Sequence, residues 1–113
     1  MSLTPEGRVK EAVKAFLRSR NVASLSASMS NAVGYYHMYV PSGYGNPELD
    51  FQGCYKGRAF YVETKAKGGV PSAMQKRIMA LQSDALGFSI WGDDAESICN
   101  RLGAFFDHVD TLA

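Results

Sequence analysis

The chain has 113 residues, 46% apolar and 20% charged, with a net charge of +1. That reads as one globular domain over residues 1–113, too short for two cores, and no apolar stretch approaches the roughly 20 residues of a membrane helix. The opening MSLTPEGRVK has no apolar h-region, so no secretory signal is expected, and Cys54 and Cys99 form no CxxC or Cys/His cluster, which reads as free thiols in a reducing cytoplasm.

Thr4-Pro5-Glu6 is a helix start, a capping residue followed by proline at the first helical position. Val9, Val13, Phe16 and Leu17 then recur at helical spacing, which predicts a helix over 5–19 with Glu6 at the N-terminal end of its buried stripe. Residues 21–33, NVASLSASMSNAV, are small and polar and predict a loop. YYHMYV (35–40) predicts a strand, and PSGYGNPE (41–48) a turn-rich connection. A second strand is expected through Leu49-Asp50-Phe51, a turn over 53–57, and a third strand over 58–66. Ser72 and Gln75 have capping-box spacing and Gly87 reads as a helix stop, so a second helix fills the interval. Phe88 to Trp91 predicts a strand parallel to the third, because a helical crossover separates them, and a closing helix covers about 95–106.

Near-neutrality conceals a segregated charge distribution. Five bases and one acid lie between Arg8 and Arg20, six bases and one acid between Lys56 and Arg77, and six acids with one base from Asp84 onward. Such a chain can present a basic face to a polyanion, although scattered charge on solvated helices gives the same composition.

FYVETKA (60–66) carries the most specific chemistry. On a strand, Glu63 and Lys65 share one face while Phe60 and Val62 share the other. Asp50 on the neighbouring strand and Glu6 at the end of the first helix add two more carboxylates. Carboxylates that converge need a cation, and hard oxygen donors suit Mg²⁺ or Mn²⁺. A lysine beside that centre can hold an attacking water and meet the charge of a phosphoryl transition state. A solvated ion pair is the plainer reading of Glu63 and Lys65, and helix-dipole pairing or capping the plainer reading of Glu6 and Gln75. His37 and His108 have no partner at zinc-ligand spacing.

GYGNPELDFQGCYKGRAFYVETKA followed by PSAMQ, with TPEGRVKEAVKAFL at the start, resembles the small stand-alone VRR-NUC domains, a phage and bacterial branch of the PD-(D/E)XK nucleases. The resemblance covers residues 4 to about 91. It implies an α/β restriction-endonuclease-like fold with a mixed central sheet flanked by helices. It also implies an Mg²⁺- or Mn²⁺-dependent DNA endonuclease that leaves 5′-phosphate and 3′-hydroxyl ends, acting on four-way or otherwise branched DNA as a homodimer in the cytoplasm of a bacterium or phage-infected host. Carried over by position, Asp50, Glu63 and the Thr64 backbone carbonyl would hold the metal, with Glu6 joining directly or through water. Lys65 would position water and Gln75 would brace the site. Lys67, Lys76, Arg77 and Tyr44 are the candidate DNA contacts. Two other readings stand beside this one: a DNA-binding or assembly module that does not cut, and a monomeric nickase or flap nuclease.

Overall fold

In the computed structural model, which describes residues 4–27, 29–39 and 49–112, the first helix, α1 (Pro5–Ser19), has the predicted bounds. Thr4 caps it by accepting the Gly7 N–H at 3.0 Å on its side-chain oxygen. The chain then makes a short strand β1 (Val22–Ser24), followed by β2 (Gly34–Met38), β3 (Phe51–Tyr55) and β4 (Arg58–Thr64). Helix α2 (Ala73–Asp84), strand β5 (Phe88–Gly92) and helix α3 (Ala95–Asp110) complete the order. Tyr44 and the predicted connection over 41–48 lie outside the described residues.

Among the described residues the sheet has five strands in sequential order, with β3 antiparallel to both neighbours and the β1–β2 and β4–β5 pairs parallel. Four strands therefore point one way and only β3 runs against them. This is a mixed sheet flanked by helices, as the α/β reading expects.

Tyr36, Phe51, Tyr55, Phe60, Val62 and Ile90 form the inner face of the sheet and pack with Val13 and Leu17 of α1 and Ile98, Leu102, Phe106 and Val109 of α3. Phe106 is the centre of this core: Tyr55 stacks on it at 4.1 Å between centroids and Phe60 meets it edge-on at 5.4 Å. Each such aromatic pair adds about 1 kcal/mol beyond the area it buries. Helix α2 lies over the other face beside β5, where Ser89 donates to Gln82 at 2.8 Å.

Several expectations are corrected. The 21–33 stretch is not all loop, because Val22 and Ala23 are buried and pair with Gly34 and Tyr35 as the edge strand β1. Asp50 does not lie within a strand; β3 starts at Phe51, since the Asp50 carboxylate takes the Thr64 N–H that a longer ladder would have used. Gly53 is a strand residue and not part of a turn. A Cβ there would lie 2.6 Å from the Tyr35 carbonyl oxygen and 2.4 Å from the edge of the Phe60 ring, so only glycine lets Phe60 cross over β3. The β3–β4 turn is the pair Lys56-Gly57 alone, both at positive φ (46° and 85°), which matches the twist of a hairpin.

The stop of α2 is also shifted. Its left-handed residue is Leu86 (φ 68°), with Leu86 N–H on the Ser83 carbonyl and Gly87 N–H on the Gln82 carbonyl, the two bonds of a Schellman end. Gly87 is needed for room: a Cβ would sit 2.9 Å from the Tyr61 ring. Helix α3 runs one turn beyond the expected Phe106 because Val109 is also buried.

At the end of the sheet away from Asp50, Asp110 accepts Lys56 Nζ at 2.7 Å and the Tyr55 hydroxyl at 2.8 Å, and Arg20 reaches Asp107 at 2.8 Å. The Lys56 and Tyr55 bonds hold the Asp110 carboxyl below the ordinary aspartate range. Their share of stability is therefore complete above that range and is lost as pH falls through the lowered value. No helix among the described residues is long and apolar enough to cross a membrane.

Candidate metal centre

At the end where β1, β2, β4 and β5 terminate, three carboxylates meet. One oxygen each from Glu6, Asp50 and Glu63 lie within 4.8 Å of one another. Each is placed by a different local device. Glu6 stands in the first turn of α1, fixed by the Thr4 cap and Pro5. Glu63 is the penultimate residue of β4 and is 2% exposed. Asp50 sits in the bend before β3, held by two bonds from Thr64 to its Oδ2, at 2.9 Å from the N–H and 2.7 Å from Oγ1. The ends of parallel strands leave backbone groups without a ladder partner, which makes this rim the usual place for a ligand in α/β sheets.

Glu63 is braced from three sides. Its Oε1 accepts the Asp50 N–H at 3.1 Å, and its Oε2 accepts Gln75 Nε2 at 2.9 Å and Lys65 Nζ at 3.0 Å. Burial, the largest influence, pushes the Glu63 carboxyl above the ordinary glutamate range; the Lys65 hydrogen bond opposes this and the Asp50 charge adds to it. Such a group ionises more readily when a cation arrives.

Gln75 does two jobs with one amide. Its Oε1 accepts the Ser72 N–H at 2.9 Å while Ser72 Oγ accepts the Gln75 N–H at 3.1 Å, so the capping box is complete. The amide nitrogen is thereby left to reach Glu63. The capping and the bracing roles are thus simultaneous, not alternatives.

Thr64 is fully buried. The Lys65 N–H bonds the Gly92 carbonyl on the β5 side, whereas the Thr64 N–H turns to Asp50 on the opposite edge. In an extended residue N–H and C=O share an edge, so the Thr64 carbonyl is directed toward the Asp50 side as well.

Lys10 was not among the residues singled out in the sequence. It lies one helical turn after Glu6, and its Nζ is 3.6 Å from Asp50 Oδ1. The i,i+4 spacing of Glu6 and Lys10 carried that signal, since it puts both on one helix face. Among the described residues, the centre thus holds three carboxylates against two ammonium groups, one negative charge in excess. The donors are all hard oxygens, three carboxylates and a carbonyl, a set that suits a hard divalent cation such as Mg²⁺, Mn²⁺ or Ca²⁺.

Of the candidate DNA contacts, Lys67, Lys76 and Arg77 lie among the described residues, each within two residues of Lys65 or Gln75 in the chain. Lys67 is exposed on the segment after β4, where the Gly68 N–H is tied to Asp93 at 2.9 Å. Lys76 and Arg77 follow Gln75 directly in α2 and are exposed. Of the tyrosines in β2, Tyr36 is core and Tyr35 is 51% exposed on the other face. Comparison with known proteins returned no match: no family model, no curated protein and no solved structure aligns with this chain.

Proposed function

We propose that this chain is a divalent-metal-dependent DNA endonuclease of the PD-(D/E)XK type, on the VRR-NUC plan, that acts on branched or four-way DNA as a homodimer. The observation that carries this reading is the convergence of Glu6, Asp50 and Glu63 within 4.8 Å, with Lys65 at 3.0 Å from Glu63. An acidic cluster alone is common on protein surfaces. An acidic cluster with one nearly buried member, a lysine on the same strand face and a glutamine brace is a preorganised arrangement.

Asp50, Glu63 and the Thr64 carbonyl would hold Mg²⁺ or Mn²⁺, with Glu6 completing the acidic set directly or through water. The bound ion would supply Lewis-acid polarisation of a phosphoryl oxygen and charge neutralisation. Lys65 holds the attacking water at Nζ, oriented by its contact with Glu63, and meets the negative charge that grows on the phosphoryl oxygens. The water oxygen bonds to phosphorus as the bond to the 3′ oxygen breaks in line; the attacking water gives up one proton to solvent and the departing 3′ oxygen takes one from solvent, which leaves 5′-phosphate and 3′-hydroxyl ends. Gln75 keeps Glu63 from rotating away. Two symmetric nicks in a four-way junction need two such sites, which a homodimer provides.

The test is incubation of the pure protein with a labelled four-way junction and a matched linear duplex, in Mg²⁺, Mn²⁺ or EDTA, alongside Glu63→Ala and Lys65→Ala. Paired, metal-dependent nicks in the junction that vanish in both variants are expected. Cleavage that survives EDTA or either variant refutes the assignment, and binding without cleavage leaves a non-cutting DNA module.

A further inference from the structure

Helix α1 carries a second feature, which starts at Lys10 and runs away from the metal centre. Val9, Val13 and Leu17 face inward, and each is followed at once by a base: Lys10, Lys14 and Arg18. Residues four apart advance about 6 Å along a helix and drift about 40° around it, so the three bases form one stripe on the flank of the buried face. Lys10, at the upper end, touches the carboxylate cluster through Asp50. Lys14 and Arg18 line a groove of about 630 Å³ that opens between α1 and the chain after β1.

The groove exists because β1 is short. The last backbone bond on that edge joins the Leu25 N–H to the Tyr36 carbonyl at 3.0 Å, after which the chain turns away. His37 and Met38, the end of β2 nearest Asp50, are thereby left lining an open cleft. Its far wall holds the hydroxyls of Ser24 and Ser26, and the side chain of Leu25, 64% exposed, supplies an apolar surface. One acid interrupts the basic wall: Glu11, whose Oε1 accepts Lys14 Nζ at 3.0 Å.

We propose that this stripe and groove form a track for one DNA strand, which leads its backbone from the carboxylate cluster down α1 past Lys10, Lys14 and Arg18. A positive charge at each helical turn suits a run of neighbouring phosphates, and serine hydroxyls opposite suit phosphate or sugar oxygens. The inference rests on the nuclease reading and places part of the substrate on the α1 side, whereas Lys67, Lys76 and Arg77 surround the α2 side. Glu11 restrains the affinity of the track by holding Lys14.

The experiment is fluorescence anisotropy with a labelled four-way junction in EDTA at several salt concentrations, on wild type, the double variant Lys14→Ala with Arg18→Ala, and Glu11→Gln. The altered side chains lie on the flank of α1 and outside the core, and the Mn²⁺-induced thermal shift of each variant checks that the carboxylate cluster is intact. The double variant is expected to bind at least about 10-fold more weakly, with the slope of log affinity against log salt reduced by about 2. Glu11→Gln is expected to bind a few-fold more tightly, because it frees Lys14. Wild-type affinity and slope in the double variant, in a protein that still cuts DNA, overturn the track and leave the nuclease standing. A wild type that neither binds nor cuts overturns both.

Discussion

Replacing Asp50 with asparagine separates the structural work of this side chain from its work as a ligand. The asparagine oxygen can still accept both Thr64 bonds that now reach Oδ2 at 2.9 and 2.7 Å, so the bend before β3 is kept. The lost charge was repelled by two carboxylates within 4.8 Å and attracted by Lys10 at 3.6 Å. At an effective dielectric of about 20, each repulsion is at least about 3.5 kcal/mol and the attraction about 4.6, before solvent screening reduces both. The two repulsions together exceed the one attraction by about 2 kcal/mol, so the metal-free variant is expected to be at least as stable as wild type. Its metal affinity is another matter. Removal of a group that only supports a ligand costs 10- to 100-fold in affinity, so loss of a ligand is expected to cost at least about 100-fold. Mn²⁺ at 100 times the wild-type Kd stabilises wild type by about 2.7 kcal/mol, on the order of 10 °C for a domain of this size. The same concentration leaves the variant with about 0.4 kcal/mol, a shift of about 2 °C. Thermal unfolding of both proteins with Mn²⁺ and with EDTA reads all four values. A wild-type-sized Mn²⁺ shift in the variant, or a loss of several kcal/mol without metal, would refute this account of Asp50.

Gln75→Glu tests the double use of that amide. Glutamate at the third helical position preserves the capping box, so the helical circular dichroism of α2 should be retained. It also sets a carboxylate against Glu63 Oε2, where Gln75 now donates at 2.9 Å, and cleavage should fall about 10- to 100-fold; wild-type turnover would confine Gln75 to the cap. Leu86→Gly should stabilise the fold by about 1 kcal/mol, since Leu86 is 94% exposed and pays for a left-handed φ of 68° with nothing buried in return. A urea midpoint that does not rise would rule out strain at this turn.

What could be read from the residues alone was what short-range forces control. Thr4, Pro5 and the periodic apolar stripe specify α1 within the chain segment itself, and Ser72 with Gln75 does the same for the start of α2. The alternation through Phe60, Val62 and Thr64 against Tyr61 and Glu63 specifies the faces of β4, and with it the side on which Glu63 and Lys65 project. The residues picked as site candidates, Glu6, Asp50, Glu63, Lys65 and Gln75, are brought to one rim.

Tertiary structure alone decided the rest. β1 has three residues and no alternation to detect; it is a strand because β2 offers Gly34 to Tyr36 as parallel partners and the core buries Val22. Gly53 looked like a turn residue, and only the Phe60 ring lying across it explains the glycine in mid-strand. Asp50 left the strand because Thr64, on the far side of a hairpin, had bonds to give it. Lys10 became part of the centre by a contact between α1 and the bend before β3. Helix caps and strand alternation are interactions between neighbours in the chain, so the sequence determines them directly. Pairing, close approach and the meeting of charges join residues far apart in the chain, and they are settled only when the sheet and its helices pack together.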